Sequence, residues 1–527
     1  MNLDSLVKHS PALVVALPLL LAFSTPLWSR FNKQLRNIWV VAGMCMTTLL
    51  GLFMAYNVLR YGPITYVFGA SDPTQTIPHD SGGIPIRIIF NVDAMSAFMV
   101  IIIAIVGLAT TIYARPSELR RKGLNSFYAL LMLLIAGVLG LVCTGDLFNM
   151  FVFFEISSLA GAALVAYRID KGIAVEAGLK YALISTVGGL FFLIAVALLY
   201  GQYGSLNIAV IAKMMQFTRL DRFALVFITV PLAMKAGAVP MHMWTPDAYS
   251  RAPSSITAFL VVSSQASLYA LFRILFTLYN VTLDCRTFGW IIIILGVLSM
   301  FIGVTMALPQ KTVKRLMAYH AISQTGYMLL GVGVGLATLC DQDKGGAFDV
   351  CGRTAMVGGV FHIINHAMYK GLLFLTAGAV IHRTGVRNLE ELGGLGHSMK
   401  LTMVFFIIGA LSIAGIPPFN GFASKILIYE SVFMFSPYLA IIAILVSILT
   451  LASFVKVFHS MFMGPKLPKF AEVKDAPTPM MFGMGLLAVM IVIGGLFPTI
   501  VTENIVEPAV TALTNQSAYI RTIFILP

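Results

Sequence analysis

Four charged residues stand inside otherwise uncharged apolar runs: Glu155 in FNMFVFFEISSLAG, Lys235 in VPLAMKAGAVP, Lys370 in FHIINHAMYKGLLF and Lys425 in GIPPFNGFASK. A charge held in a membrane-crossing run costs roughly 2.5 to 3.5 kcal/mol to insert, so one that is kept marks an ion path, a counter-ion pair or a substrate site. Glu155 and Lys235 are natural partners, because opposite charges buried close together favour each other's charged form, whereas either alone tends to neutralise. A pair that separates can tip a proton either way; a pair that stays closed is a static tie between two helices. His362, His366 and Lys370 recur at four-residue spacing, which stacks them on one helix face about a turn apart. A neutral imidazole accepts a proton on one nitrogen and gives one from the other, so this stack suits hopping toward the lysine. The same spacing suits a divalent metal, but no carboxylate accompanies it in this helix and Lys370 would repel the cation, so no metal site is expected.

Around these charges lie further polar groups. His242, Asp247 and Arg251 follow Pro240 in PMHMWTPDAYSR, where His242 either feeds protons to Lys235 or serves only as a loop group. His320 and Gln324, in AYHAISQTGY, are expected to make ordinary interhelical hydrogen bonds. Lys425 has a rival local partner in Glu430, five residues on.

The elements that must position these groups are apolar runs of about 20 residues, the length that spans hydrocarbon as a helix. Fourteen such runs lie near 11–29, 37–57, 94–114, 123–145, 147–167, 178–200, 222–240, 254–274, 287–308, 317–338, 354–382, 401–427, 432–456 and 478–500. The fold expected is therefore an all-α, polytopic membrane protein. Proline breaks the seventh run at Pro231 and Pro240 and the twelfth at Pro417 and Pro418; each proline lacks an amide donor and frees carbonyls for other partners. Runs four to eight and nine to thirteen form two blocks of five, and an odd block followed by its like is inverted in the membrane. Both blocks carry a broken helix and a lysine at their fourth position, the pattern that points to a transport site between inverted repeats. The expected divisions are three N-terminal helices in 1–122, a first five-helix repeat in 123–274, its inverted counterpart in 287–456, and helix 14 with a C-terminal tail in 478–527.

Composition agrees: 58% of the 527 residues are hydrophobic and 11% charged, and the mean hydropathy is +0.90, outside the range of soluble domains. A net charge of +13 suggests cationic loops held on one side rather than a nucleic-acid partner. Lysine and arginine collect in odd-numbered connections, at Arg30, Lys33 and Arg36; Arg115, Arg120, Arg121 and Lys122; Lys311, Lys314 and Arg315; and Lys466, Lys469 and Lys474. These connections are expected on the cytoplasmic side of the cell membrane and both termini outside, with Asp72, Asp80, Asp341, Asp343 and Asp349 on the outer side. The sixth connection, with Lys213, Arg219 and Arg222, fits this poorly. Five scattered cysteines lack a CxxC spacing, and a Cys340–Cys351 disulfide is open if the outer compartment is oxidising. No phosphate-binding lysine loop, no dinucleotide fingerprint after a strand, no HExxH and no Ser-His-Asp layout is present, so no cofactor is expected in this chain.

In combination and order, GDLFNMFVFFEISSLAG (145–161), KAGAVPMHMWTPDAYSRAPSSITAF (235–259), KTVKRLMAYHAISQTGYMLLG (311–331), HIINHAMYKGLLFLTAGAVI (362–381) and LSIAGIPPFNGFASK (411–425) resemble the antiporter-like subunits shared by respiratory complex I, Mrp-type sodium/proton antiporters and energy-converting membrane hydrogenases. The resemblance implies fourteen helices, inverted five-helix repeats, breaks in helices 7 and 12, and a lateral polar axis. It puts the family's translocation residues on Glu155, Lys235, His362, His366, Lys370 and Lys425. In one departure, Gln265 stands four residues before Tyr269 where many members carry a lysine, so the step from Lys235 to Lys370 would rely on water or on His362 and His366. The sequence stops at Pro527, short of the added domains of the largest members, which makes a hydrogenase-type or Mrp D-type member no less compatible than a complex I one.

The function expected is translocation of protons, with sodium/proton exchange as a variant, by one of several membrane subunits assembled in a lipid bilayer. Lys235 would pass its proton along Gln265 and the histidines to Lys370, and Lys425 would release it outward. The alternatives are a self-contained transporter of a small solute and a structural scaffold with vestigial ion pairs.

Overall fold

The computed structural model describes residues 3–70, 74, 88–118, 123–280, 284–339 and 347–524. Asp72, Asp80, Arg120, Arg121, Lys122, Cys340, Asp341 and Asp343 lie outside these described residues.

Three N-terminal helices, α1 (Leu3–Phe31), α2 (Lys33–Tyr61) and α3 (Ala94–Glu118), precede α4 (Leu124–Cys143), α5 (Leu147–Val165) and α6 (Gly172–Tyr203). Between α2 and α3, strands β1 (Ile64–Val67) and β2 (Ile89–Val92) pair antiparallel, with Ile64 opposite Val92. Short α7 (Ile208–Met214) leads to α8 (Arg219–Ala236), α9 (Trp244–Arg251) and α10 (Ser254–Phe272). Then come α11 (Cys285–Ala307), α12 (Val313–Leu339), α13 (Arg353–Thr384), α14 (Lys400–Ala414), α15 (Asn420–Phe435), α16 (Pro437–Phe462) and α17 (Thr478–Leu496). The tail is helical as well, in α18 (Pro498–Val501), α19 (Glu507–Thr514) and α20 (Gln516–Arg521).

Among the described residues, 11 helices are long and apolar enough to cross a membrane. The other three expected runs are α8, α13 and the α14–α15 pair, and each departs for a reason tied to its polar content. The first and last are cut by breaks, and α13 is diluted by His362, Asn365, His366 and Lys370. The chain is thus a multi-pass membrane protein, helical among the described residues but for that one short strand pair.

Burial separates an inner set of helices from an outer one. Every residue of 255–278, α10 and the π-helical turn Arg273–Leu278 after it, is buried, as is 94% of the most apolar stretch of α12, whereas the corresponding stretches of α1 and α16 are 33% buried. The lightly buried helices offer leucine, isoleucine and phenylalanine to lipid, as Leu183, Leu190, Ile441 and Ile448 do. Close approach of α11 to α12 depends on Gly289, Gly296 and Gly303, one every seven residues. A Cβ at any of them would meet backbone atoms of α12 at 2.4 to 2.9 Å, the small-residue contact by which membrane helices pack without a hydrophobic driving force.

Two breaks share one geometry. Gly237 after α8 and Gly415 after α14 both take φ +78, beyond the reach of most L-residues. In each, the next amide closes the helix end, Ala238 N–H onto Ala233 O and Ile416 N–H onto Leu411 O, both at 3.0 Å. Cis peptide bonds follow at Val239–Pro240 and Pro417–Pro418.

Cys351 carries a free thiol and Cys285 is disulfide-bonded, so a Cys340–Cys351 pairing is corrected. Arg273, inside the eighth apolar run, is fully buried and forms a two-pronged ion pair with Asp93 at 2.6 and 2.7 Å. Neither was singled out from the sequence, although an arginine inside one run and an aspartate at the mouth of another were legible there.

Candidate functional site

Lys235 occupies the last turn of α8, where outward-facing carbonyls favour a cation. Its ammonium reaches sideways to α5. It donates to Phe154 O at 3.0 Å, to Ser157 Oγ at 3.1 Å and to Ser158 Oγ, and stands 3.8 Å over the Phe154 ring. Both hydroxyls donate their own hydrogens back to Phe154 O, at 2.8 and 2.7 Å, which leaves their lone pairs for the lysine. Three acceptors for three ammonium hydrogens make this a satisfied buried charge.

The expected Glu155–Lys235 ion pair is not formed among the described residues. Glu155 instead lies half-buried against α6, with Oε1 enclosed and lacking a hydrogen-bond partner. Ser157 and Ser158, two and three residues after Glu155 and passed over by the charge-based reading, take the partner's place.

Beyond the break lies a small cavity of about 10 Å³, on the order of the space for a single water. Ala236, Gly237, Thr245, Ser264, Gln265 and His366 are among its walls. Gln265 donates through its amide nitrogen to Ile363 O at 2.9 Å and to His366 Nδ1 at 2.6 Å. An imidazole that accepts on Nδ1 carries its hydrogen on Nε2 when neutral. That Nε2, Gln265 Oε1 and Thr245 Oγ1 are all buried without partners, a polar set able to bind one water between the first break and α13. Tyr249, also lining the cavity, bonds Ser264 Oγ at 2.6 Å.

On α13 the three stacked groups diverge. His362 Nδ1 meets Ser424 Oγ at 2.9 Å, and its Nε2 meets Tyr369 OH at 3.1 Å and Gln324 Oε1 at 3.2 Å. Lys370 donates to Met317 O of α12 at 2.7 Å and faces the Phe454 ring, 5.6 Å from its centroid. Lys425 donates to Ile413 O at 2.8 Å and Ser447 Oγ at 2.9 Å, 4.9 Å over the Tyr327 ring. The expected order places Lys370 between the histidines and Lys425. The resting hydrogen bonds link His362 to Ser424, the sequence neighbour of Lys425, and Lys370 to α12.

The accessory residues divide likewise. Gln324 makes the interhelical bonds expected of it, but both nitrogens of fully buried His320 lack partners, and its ring packs on Phe454, 5.0 Å away, the ring that Lys370 also faces. His242 is buried with Nδ1 unpartnered. Asp247 is occupied elsewhere, in ion pairs with Arg315 at 2.7 Å and Lys180 at 3.3 Å. Lys425 forms no ion pair with Glu430 among the described residues. The same residues contain no cluster of three His, Cys, Asp or Glu that could hold a metal ion.

A multi-pass membrane protein with buried lysines strung between two matching helix breaks is the class that fold and site define. Residues 144–450 match the family described as NADH:quinone oxidoreductase/Mrp antiporter, transmembrane. The chain is 31% identical to the N-type NADH-quinone oxidoreductase subunit of Desulforudis audaxviator over 96% of its own length and 99% of that protein. It is 32% identical to the D-type Na(+)/H(+) antiporter subunit of Alkalihalophilus pseudofirmus, covering 86% of this chain and 87% of that one. Against the A-type antiporter subunit of the same organism it is 29% identical and spans 62% of that protein. Among solved structures, a chain of the membrane-bound sulfane sulfur reductase, an archaeal respiratory membrane complex, is 28% identical, with a TM-score of 0.81 over 97% of this chain and 99% of that one. A chain of the Mrp complex from Dietzia sp. DQ12-45-1b, at 24% identity, shares the fold with a TM-score of 0.83 over 99% of this chain and 100% of that one. The chain belongs to the NADH:quinone oxidoreductase/Mrp antiporter transmembrane family.

Proposed function

We propose that this chain translocates protons, or exchanges sodium for protons, as one membrane subunit of a larger energy-converting complex in the cell membrane. The observation that carries this reading is the unpartnered polar lining of the one-water cavity that Ala236, the residue after Lys235, shares with His366. In this reading Lys235, once released from its acceptors on α5, passes its proton to a water in that cavity, and the ring of His366 turns to carry it on toward His362 and the second break. In this reading Lys235 is the proton holder, Glu155 its modulator, His366 and His362 the relay, and Lys425 the terminal holder. Lys370 and His320 form a side branch with room to store or divert a proton, and His242 stands at the entry. Gln265 orients His366 and holds no proton itself.

Relatives named as parts of quinone oxidoreductase, antiporter and sulfur reductase assemblies support a partnership with other membrane subunits. The positive connections support both termini facing outside, and any redox cofactor of the complex belongs to partner chains. Replacing Lys235 by Ala should abolish ion translocation by the assembled complex in everted vesicles while the complex still co-purifies. Normal translocation in that variant would sink the reading.

A further inference from the structure

Lys235 is held by three acceptors, whereas its expected counter-ion is held by a gap. A Cβ built on Gly189 of α6 would lie 2.0 Å from Glu155 Oε1, 2.8 Å from Cδ and 3.6 Å from Cγ. Gly189 sits within a regular stretch of helix, where no positive φ demands glycine and where glycine weakens the helix relative to alanine. The adjacent Gly188 makes a second notch, which Met234, the residue before Lys235, fills: a Cβ there would lie 2.5 Å from its terminal methyl. Two successive glycines thus admit the carboxylate of α5 and the side chain next to the lysine of α8.

We propose that Gly189 is a positioning residue that parks the Glu155 carboxylate away from Lys235, so that the resting couple is the separated one. The inference rests on the reading of Glu155 and Lys235 as a proton-handling couple. A methyl at position 189 would displace the far end of a flexible side chain, not backbone, so the helices keep their packing and the carboxylate moves. Lys235 already touches Phe154 and Ser158, on either side of Glu155, and offers the displaced carboxylate a partner. The closed pair then holds its proton through each cycle and slows it.

Driven translocation by the intact complex in everted vesicles tests this. Gly189→Ala should assemble at wild-type yield and translocate about tenfold more slowly. Glu155→Asp puts the carboxyl carbon where Cγ now lies, 3.6 Å from the new methyl, and removes the atom that would lie at 2.0 Å; its oxygens can turn about that carbon clear of the methyl, so the double variant should run as fast as Glu155→Asp alone. The carboxyl infrared band of Glu155 in the purified complex, assigned by its loss in Glu155→Gln, should shift in Gly189→Ala, and this readout stands even where Glu155→Asp is itself inactive. An unchanged rate, an unshifted band, the same loss in both backgrounds, or an assembly defect that Glu155→Asp does not cure would each overturn the proposal. Normal translocation by Lys235→Ala would instead remove the functional reading beneath it; an inactive Lys235→Ala with a silent Gly189→Ala removes only the notch.

Discussion

Aligned on Gly237 and Gly415, Pro240 and Pro418, the two breaks put Lys235 level with Ile413, and Lys425 level with Asp247. The backbone device is therefore shared, and the lysine is not. In the sequence both lysines take one corresponding place; in the fold they stand on opposite sides of the chain break. Yet Lys425 reaches back across its break and donates to Ile413 O, the very residue that matches Lys235. Both ammonium groups end near a broken helix end, by different routes. At the first break the lysine's acceptors belong to another helix, α5, so any shift between α5 and α8 changes its bonds. At the second, one acceptor is the break's own carbonyl, and Ser447 of α16, itself bonded to Ala414 O at 3.0 Å, supplies the other. The first lysine is tied wholly to a neighbouring helix; the second divides its bonds between its own break and α16.

The comparison breaks hardest at α5. Removing both hydroxyls with Ser157→Ala and Ser158→Ala leaves a buried ammonium with one acceptor, and hydrogen bonds to charged groups are worth about 1.5 to 3 kcal/mol each. Translocation should fall on the order of a hundredfold with assembly intact, measured in the same vesicles; a rate near wild type would mean that α5 does not govern the lysine. Next come the hinges themselves. Alanine in the left-handed conformation costs about 1 to 2 kcal/mol, so Gly237→Ala and Gly415→Ala should both lower the denaturation midpoint of the complex. Gly415→Ala should be the worse, because its methyl would lie 2.8 Å from Lys425 Cδ, against 3.0 Å from Thr245 Oγ1 at the first break. Equal losses would show that the lysine does not lean on its own break. The smallest effect belongs to Ser447→Ala, which leaves the Ile413 carbonyl in place: a loss of about threefold to tenfold in rate is expected. A loss as deep as that of the double serine variant would erase the distinction between the breaks.

Much of the fold was legible because membrane helices announce themselves by length and apolarity, and all fourteen runs became helices or helix pairs. The charged members of the site were legible for the complementary reason, that each stood out against its run. What escaped were groups whose types are ordinary in such helices. Ser157 and Ser158 are small polar residues of a kind that membrane helices tolerate, and only the lysine's position makes them its cage. Gly189 carries no side chain to notice. The Glu155–Lys235 pair was overread because charge alone says who attracts whom, whereas packing against α6 decides where the carboxylate rests. That Lys370 bonds α12 while His362 meets Ser424 of α15 was equally hidden, since spacing on one helix does not specify which neighbour each residue meets.

The clamp on α10 bears on how this protein can move at all. Arg273 and Asp93 lock one end of that helix to α3; Tyr269 OH adds bonds to Ser96 Oγ at 2.8 Å and Val142 O at 3.0 Å, and the tail fastens it again through Gln516 on Thr277 O at 2.8 Å. A carrier that exposes its cargo alternately to two sides must let one bundle rock against another. A helix that is wholly enclosed and pinned at its end makes a poor rocker. Gln265 stands two turns above that clamp, so a motion that tilts α10 must first break these bonds, whereas a change of rotamer at Gln265 need not.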